Sequence, residues 1–302
     1  MAAFDRRLLV IAFAAANLLT SCMTHNAHPE VHGHRGCRGL LPENTLPAFL
    51  QATELGVDYV ELDVVISGDG QVVVSHEPWM SHRICTKPDG STITEAEERS
   101  LNLFRMSLAE IQSFGCGDLE HPDFPKQDQR KAYKPTLREV VEAVDEHALL
   151  SGVVSPGYSI EIKSDPELYG THQPPPAEFV RLVLAAIDSL GIEDRCMVQS
   201  FDPAVLEVVH AERPDISLAL LVENAEGWKE NLKRLSFEPD VYSPHFTLVD
   251  AKDVEKLRDK NVEVVVWTVN EVADIRKVMA LGVDGIISDY PDRVLELLDD
   301  EG

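Results

Sequence analysis

Positive charge is scarce in this chain: 27 lysines and arginines stand against 52 aspartates and glutamates, a formal net charge of -25 at pH 7 over 302 residues. With no basic stripe to neutralise a phosphate backbone, and acidic residues spread along the whole length, the composition argues against nucleic acid as a partner. The same balance discourages tight association with anionic lipid headgroups. A phosphate ester bound by such a protein has to be drawn in locally, by a metal ion and a few cations. The apolar run at 8–19 is too short to span a bilayer comfortably. Cysteine is sparse, five in all, and no internal repeat is visible beyond an alternation of strand-like and helix-like segments.

What is present starts with that apolar run, which follows Arg6 and Arg7 and reads as a secretory signal. It ends in Leu19-Thr20-Ser21-Cys22, which looks like a bacterial lipobox, with Cys22 lipidated as the first mature residue; an ordinary signal peptide with Cys22 incidental is the alternative. The expected organisation is a signal at 1–21, a short polar tether at 22–30, and one large domain over 31–302. The expected location is exported, in the periplasm or cell envelope, with membrane attachment only through Cys22. An exported location permits disulfides. Cys37 lies in a loop, Cys196 in an apolar run that reads as buried, and Cys85 and Cys116 in one irregular polar stretch, which makes them the preferred pair. Spacing does not determine connectivity.

Short β-rich runs alternate with amphipathic runs. Strands are expected at 31–35, 59–66, 158–162, 197–201, 218–222, 241–243, 262–268 and 285–288, with a further extended run at 72–75. Helices are expected at 45–55, 137–149, 177–190, 203–211, 227–235, 251–260, 271–281 and from Asp292 onward. Asp202 followed by Pro203 reads as an N-cap and first helical position. Eight βα units of an α/β chain fit a TIM barrel. The stretch 78–135 breaks the rhythm and reads as an insertion that would emerge at the catalytic face, as a lid over the pocket or as a passive decoration.

Residues two apart on a strand share a face, so Glu61 and Asp63 project together, as do Glu161 and Lys163. Three carboxylates at the ends of neighbouring barrel strands repel one another and are costly to bury without a cation. Oxygen donors of this kind suit Ca²⁺ or Mg²⁺. Glu61, Asp63 and Glu161 are therefore the expected metal ligands. His34 and His76 fall at strand ends on the same rim, and two imidazoles can take a proton from an attacking hydroxyl and give one to a leaving alkoxide. Arg35 and Lys163 are the cations best placed for a phosphate, and both can also pair with the carboxylates. His32 and His245 keep open readings, while His25, His28, His121, His147 and His172 read as ordinary histidines. Trp267 reads equally as a pocket wall and as a core aromatic.

The order His34-Arg35-Gly36, Pro42-Glu43-Asn44-Thr45, Glu61-Leu62-Asp63 and then His76 resembles the glycerophosphodiester phosphodiesterase family. The resemblance implies a TIM barrel that cleaves glycerophosphodiesters to glycerol 3-phosphate and an alcohol with one divalent cation. It implies His34 and His76 as the catalytic pair, Arg35 and Lys163 on the substrate phosphate, and an insertion after His76. Glu43 would orient Arg35 or the metal shell, Asn44 would cap the following helix, and the segments at Gln199-Ser200-Phe201 and Trp267 would wall the pocket, Trp267 against glycerol. Glu77 stands where the family usually has aspartate. Two rivals are a phospholipase-D-like enzyme of the same barrel superfamily, acting on lysophospholipid or sphingolipid, and a non-catalytic protein that captures phosphate esters.

Overall fold

The structure is a computed structural model that describes residues 28–301, so the expectations for the signal, Cys22 and most of the tether lie outside the described residues. Parallel strands β1 (Glu30–Gly33) and β2 (Tyr59–Ile66) are followed by β3 (Val72–Val74), which runs antiparallel to the far end of β2. Then come β4 (Gly157–Ile162), β5 (Cys196–Ser200), β6 (Ser217–Val222), β7 (Val241–Pro244), β8 (Glu263–Val266) and β9 (Gly285–Ser288). All but β3 are parallel and neighbour one another in chain order, and β1 pairs with both β2 and β9, which closes the sheet into a TIM barrel. The connecting helices are α1 (Leu46–Leu55), α4 (Leu137–Ser151), α5 (Pro176–Leu190), α6 (Pro203–Glu212), α7 (Trp228–Leu232), α8 (Ala251–Arg258), α9 (Val272–Leu281) and α10 (Pro291–Glu301), with short α2 (Glu95–Glu98) and α3 (Leu108–Ile111) between β3 and α4. Among the described residues, no helix is long and apolar enough to cross a membrane.

Strand alternation splits the core into two layers. Val60, Leu62, Val64, Ile160, Ile162, Val198, Leu220 and Val264 face outward into the main cluster under the helices. Met197, Ala219, Val241, Val265 and Ile287 form a second, interior cluster, with Trp267 packed on top of it. The polar residues at the same parity, Glu61, Asp63, Glu161 and Gln199, are buried as well. The lower rim is tied by one device used three times, an aspartate just ahead of a strand accepting a bond from the previous barrel strand. Asp58 takes Val31 N at 2.8 Å, Asp240 takes Leu218 N at 2.9 Å and Asp284 takes Val264 N at 2.8 Å.

Element ends differ from expectation where backbone geometry intervenes. β1 stops at Gly33 rather than residue 35 because Arg35 (φ 49°) and Gly36 (φ 86°) turn left-handed. A Cβ on Gly36 would sit 2.7 Å from the Ala48 backbone, so only glycine fits there. α6 starts as expected, with the Asp202 side chain accepting from Ala204 N at 3.0 Å and Pro203 at its first position. Asn44 does not cap α1, whose N-cap position is Thr45; its amide is turned into the barrel instead. Cys85 and Cys116 form a disulfide, and Cys37 and Cys196 are free and buried. That bridge lies in a separate small core of Val65, Val73, Met80, Ile93, Leu103, Ile111 and Phe114, which seats the irregular segment on the outer edge of β2 and β3.

Candidate active site

The three expected ligands meet. Asp63 and Glu161 are register partners across β2 and β4, Glu61 lies two residues before Asp63, and one oxygen from each falls within 4.8 Å of the others. Burial raises the Glu61 carboxyl well above its ordinary value, with Asp63 and Glu161 adding to the effect. Burial also raises Glu161, against the pull of Lys163. Asp63 goes the other way: burial is outweighed by Arg35, His76 and Lys163, which hold it well below the usual range. Asp63 Oδ1 is buried without a hydrogen-bond partner. A buried set of oxygen donors with one donor unused and net negative charge fits a hard divalent cation.

Each carboxylate is braced. Glu61 accepts from the Arg35 backbone N–H at 2.8 Å and from Gln199 Nε2 at 3.0 Å. Asp63 accepts from Asn44 Nδ2 at 2.8 Å, and its own N–H donates to Asn44 Oδ1 at 3.3 Å. Asn44 reaches it from a left-handed backbone, φ 55°. Its side chain therefore orients the Asp63 carboxylate, which corrects the expectation of a helix cap.

Arg35 is clamped between carboxylates, with Nη1 2.7 Å from Glu43 Oε1 and Nε 3.3 Å from Asp63 Oδ2. Glu43 thus orients Arg35, as the resemblance implies. Lys163 Nζ lies 2.7 Å from Glu161 and 3.9 Å from Asp63, and despite burial these carboxylates raise its pKa. Trp267 sits one residue past β8, donates Nε1–H to Ser243 O at 2.8 Å and meets Phe201 edge-on. Its two readings merge, since it covers the interior cluster and faces the cavity. That cavity, about 300 Å³, is lined by His34, His76, Arg35, Lys163, Glu61, Glu161 and Trp267 among others.

The histidines are held alike. His34 Nδ1 lies 2.5 Å from Asp289 Oδ1 and His76 Nδ1 lies 2.8 Å from Glu77 Oε1. Desolvation, with help from Arg38 and Arg35, lowers His34 to about 4 against the opposing pull of Asp289. A neutral imidazole facing a carboxylate carries its proton on Nδ1, so His34 Nε2, 3.9 Å from Glu61, keeps a free lone pair.

Several members of the site were not singled out in the sequence. Asp289 follows β9 and is fixed by Arg38 Nε at 2.9 Å and Asn270 Nδ2 at 2.8 Å. The rule that selected His34, a polar side chain at the upper end of a barrel strand, also selects Asp289. From the irregular segment, Lys134 Nζ donates to Ser75 Oγ at 2.7 Å, next to His76, and His121 lies buried 3.7 Å from Glu43. His121 is therefore more than an ordinary histidine, and this edge of the segment is part of the site's backing. His32 is buried lower in the barrel against Tyr59, and His245 bonds Thr247 Oγ1 at 2.8 Å; neither lines the cavity.

The sequence and the fold both have known relatives. Residues 34–293 match the Glycerophosphoryl diester phosphodiesterase family. A glycerophosphodiester phosphodiesterase of Caldanaerobacter subterraneus subsp. tengcongensis is 29% identical over 272 residues, which cover 89% of this chain and 97% of that protein. A crystal structure of a putative glycerophosphoryl diester phosphodiesterase from Silicibacter pomeroyi is similar at 32% identity and a TM-score of 0.81, over 92% of this chain and 95% of that one. An Oleispira antarctica phosphodiesterase, solved with its product sn-glycerol-3-phosphate, shares the fold at 24% identity and a TM-score of 0.71, over 90% and 97% of the two chains. On the extent of that match, the chain belongs to the glycerophosphoryl diester phosphodiesterase family.

Proposed function

We propose that the chain hydrolyses glycerophosphodiesters to glycerol 3-phosphate and an alcohol, using one divalent cation, Ca²⁺ or Mg²⁺, held by Glu61, Asp63 and Glu161. The observation that carries this reading is a buried carboxylate triad, two of whose members, Glu61 and Glu161, line one cavity together with Arg35, Lys163 and two carboxylate-backed imidazoles. A bound cation there would supply Lewis-acid polarisation of a phosphate oxygen and lower the pKa of a coordinated hydroxyl.

The side chains do the rest. Arg35 presents a planar fork whose position is set by Glu43 and Asp63, and Lys163 adds a point charge, so the phosphate is held from two sides. His34, neutral and aligned by Asp289, accepts the proton of the attacking oxygen at Nε2. His76, backed by Glu77 on the more open side of the cavity, gives a proton to the departing alkoxide as its bond to phosphorus breaks. Trp267, Phe201, Leu221 and Ile287 form an apolar wall against which the glycerol carbons pack.

A capture protein has no use for two aligned proton carriers, which counts against the binding-only rival. Incubation with glycerophosphocholine and, separately, lysophosphatidylcholine tests the reading. The expected result is glycerol 3-phosphate from the first, a far lower rate on the second, and loss of turnover in His34→Ala and His76→Ala. Preferential cleavage of the lysolipid would favour the phospholipase-D-like alternative.

For location, the proposal is an exported protein anchored through lipid at Cys22. The charged start and apolar run at 8–19 support it, as does the Cys85–Cys116 disulfide, since such bridges persist in oxidising compartments. Incorporation of labelled lipid that disappears in Cys22→Ala is the expected result.

A further inference from the structure

Three aliphatic side chains within six residues stand in solvent at the end of α4 and in the loop after it: Leu149 is 82% exposed, Leu150 78% and Val154 89%. The other large hydrophobic residues exposed among those described, Tyr133 and Val272, reach only 36% and 40%. Scattered exposed aliphatics are ordinary, but three together on a surface this rich in carboxylates have a cause. Their place in the barrel suggests one. His32 is the register partner of Tyr59, and Tyr59 of Gly157, so the starts of β1 and β4 lie about 10 Å apart across β2. Val154 sits three residues before Gly157 and Glu30 two before His32. The exposed aliphatics and the point where the chain enters the barrel therefore share the lower face, opposite the catalytic rim. From Cys22 to Glu30, eight residues reach at most about 29 Å.

We infer that Leu149, Leu150 and Val154 insert into the lipid surface that carries the anchor, so that the barrel stands on its lower face with its catalytic mouth turned to solution. This rests on the Cys22 anchor proposed above and deepens it. The patch offers a few hundred Å², well under the about 800 Å² per partner of a stable dimer, which favours lipid over a second copy. Shallow insertion of a few apolar groups beside a lipid tether is a two-signal attachment, stronger than either alone. Glu30, Asp58 and Glu263, at or just before strand starts on this lower face, fit a zwitterionic surface rather than an anionic one. A mouth facing away from the bilayer receives water-soluble diesters and meets membrane-embedded lysolipids poorly.

The test uses the chain with residues 1–22 replaced by a hexahistidine tag, held on phosphatidylcholine vesicles containing nickel-chelating lipid. An environment-sensitive fluorophore is placed at Val154→Cys or, as control, at Val272→Cys, which opens α9 on the catalytic rim. The expected result is at least a twofold rise in emission at position 154 on vesicle binding and none at 272. Adding Leu149→Ser and Leu150→Ser should abolish the rise while hydrolysis of soluble glycerophosphocholine stays unchanged. Equal signals at both positions, a rise at 272 instead, or a concentration-dependent rise at 154 without vesicles would each overturn the inference. Because the nickel tether replaces the lipid, absence of labelled lipid at Cys22 would remove the anchor alone and leave this result to stand or fall separately.

Discussion

Asp289 Oδ1 lies 2.5 Å from Nδ1 of His34, a contact between residues 255 apart in sequence that exists because β9 pairs with β1. Closure of the barrel thus completes an imidazole–carboxylate pair, with Arg38 and Asn270 holding the carboxylate in place.

Asp289→Asn should leave the fold intact and lower kcat by roughly 10²-fold with little change in KM, since the amide no longer selects the tautomer that leaves Nε2 free. Steady-state kinetics on glycerophosphocholine, with thermal unfolding as the control, check this. A variant with near-normal kcat would show that the pair is structural.

Glu263, at the start of β8, is pushed up to about 6 by burial and by Glu30, Asp284 and Asp240. An acid whose pKa is higher in the folded chain destabilises it when ionised. Stability is therefore lost as pH rises from about 4.5 to 6. The full shift corresponds to about 2 kcal/mol, and the residue's exposure reduces this to about 1 kcal/mol. Glu263→Gln should be more stable than wild type by that amount at pH 7 and equal to it at pH 4, measured by urea unfolding.

The Cys85–Cys116 bridge spans 31 residues of sequence. Chain-entropy arguments assign such a loop about 3–4 kcal/mol. Replacing both cysteines by serine should loosen the small core around Met80, Leu103 and Phe114 before the barrel melts. Limited proteolysis should cut between residues 80 and 130 in the variant, with the barrel fragment resistant.

Much of the barrel could be read from sequence because its strands repeat every two residues and its helices follow amphipathic periods, so Glu61, Asp63 and Glu161 could be placed on one face. Partners across the seam could not. Periodicity gives direction and facing, but which strand closes against β1 is a property of the whole sheet, and this hid Asp289 and the role of Arg38. Lys134 and His121 sit in an aperiodic stretch, where no pattern links a residue to its place. Asn44 carries a helix-capping signal, yet its left-handed backbone turns the amide to Asp63, an outcome local propensity does not encode.

One hard cation shared by Glu61, Asp63 and Glu161 underlies the proposed chemistry, and it is measured by following hydrolysis of glycerophosphocholine beside a calorimetric titration of Ca²⁺ and Mg²⁺. The expected result is one site per chain, activity abolished by EDTA and restored by the ion, and Glu61→Ala inactive at any metal concentration. Full turnover in the presence of chelator, or unchanged ion binding by Glu61→Ala, would contradict it.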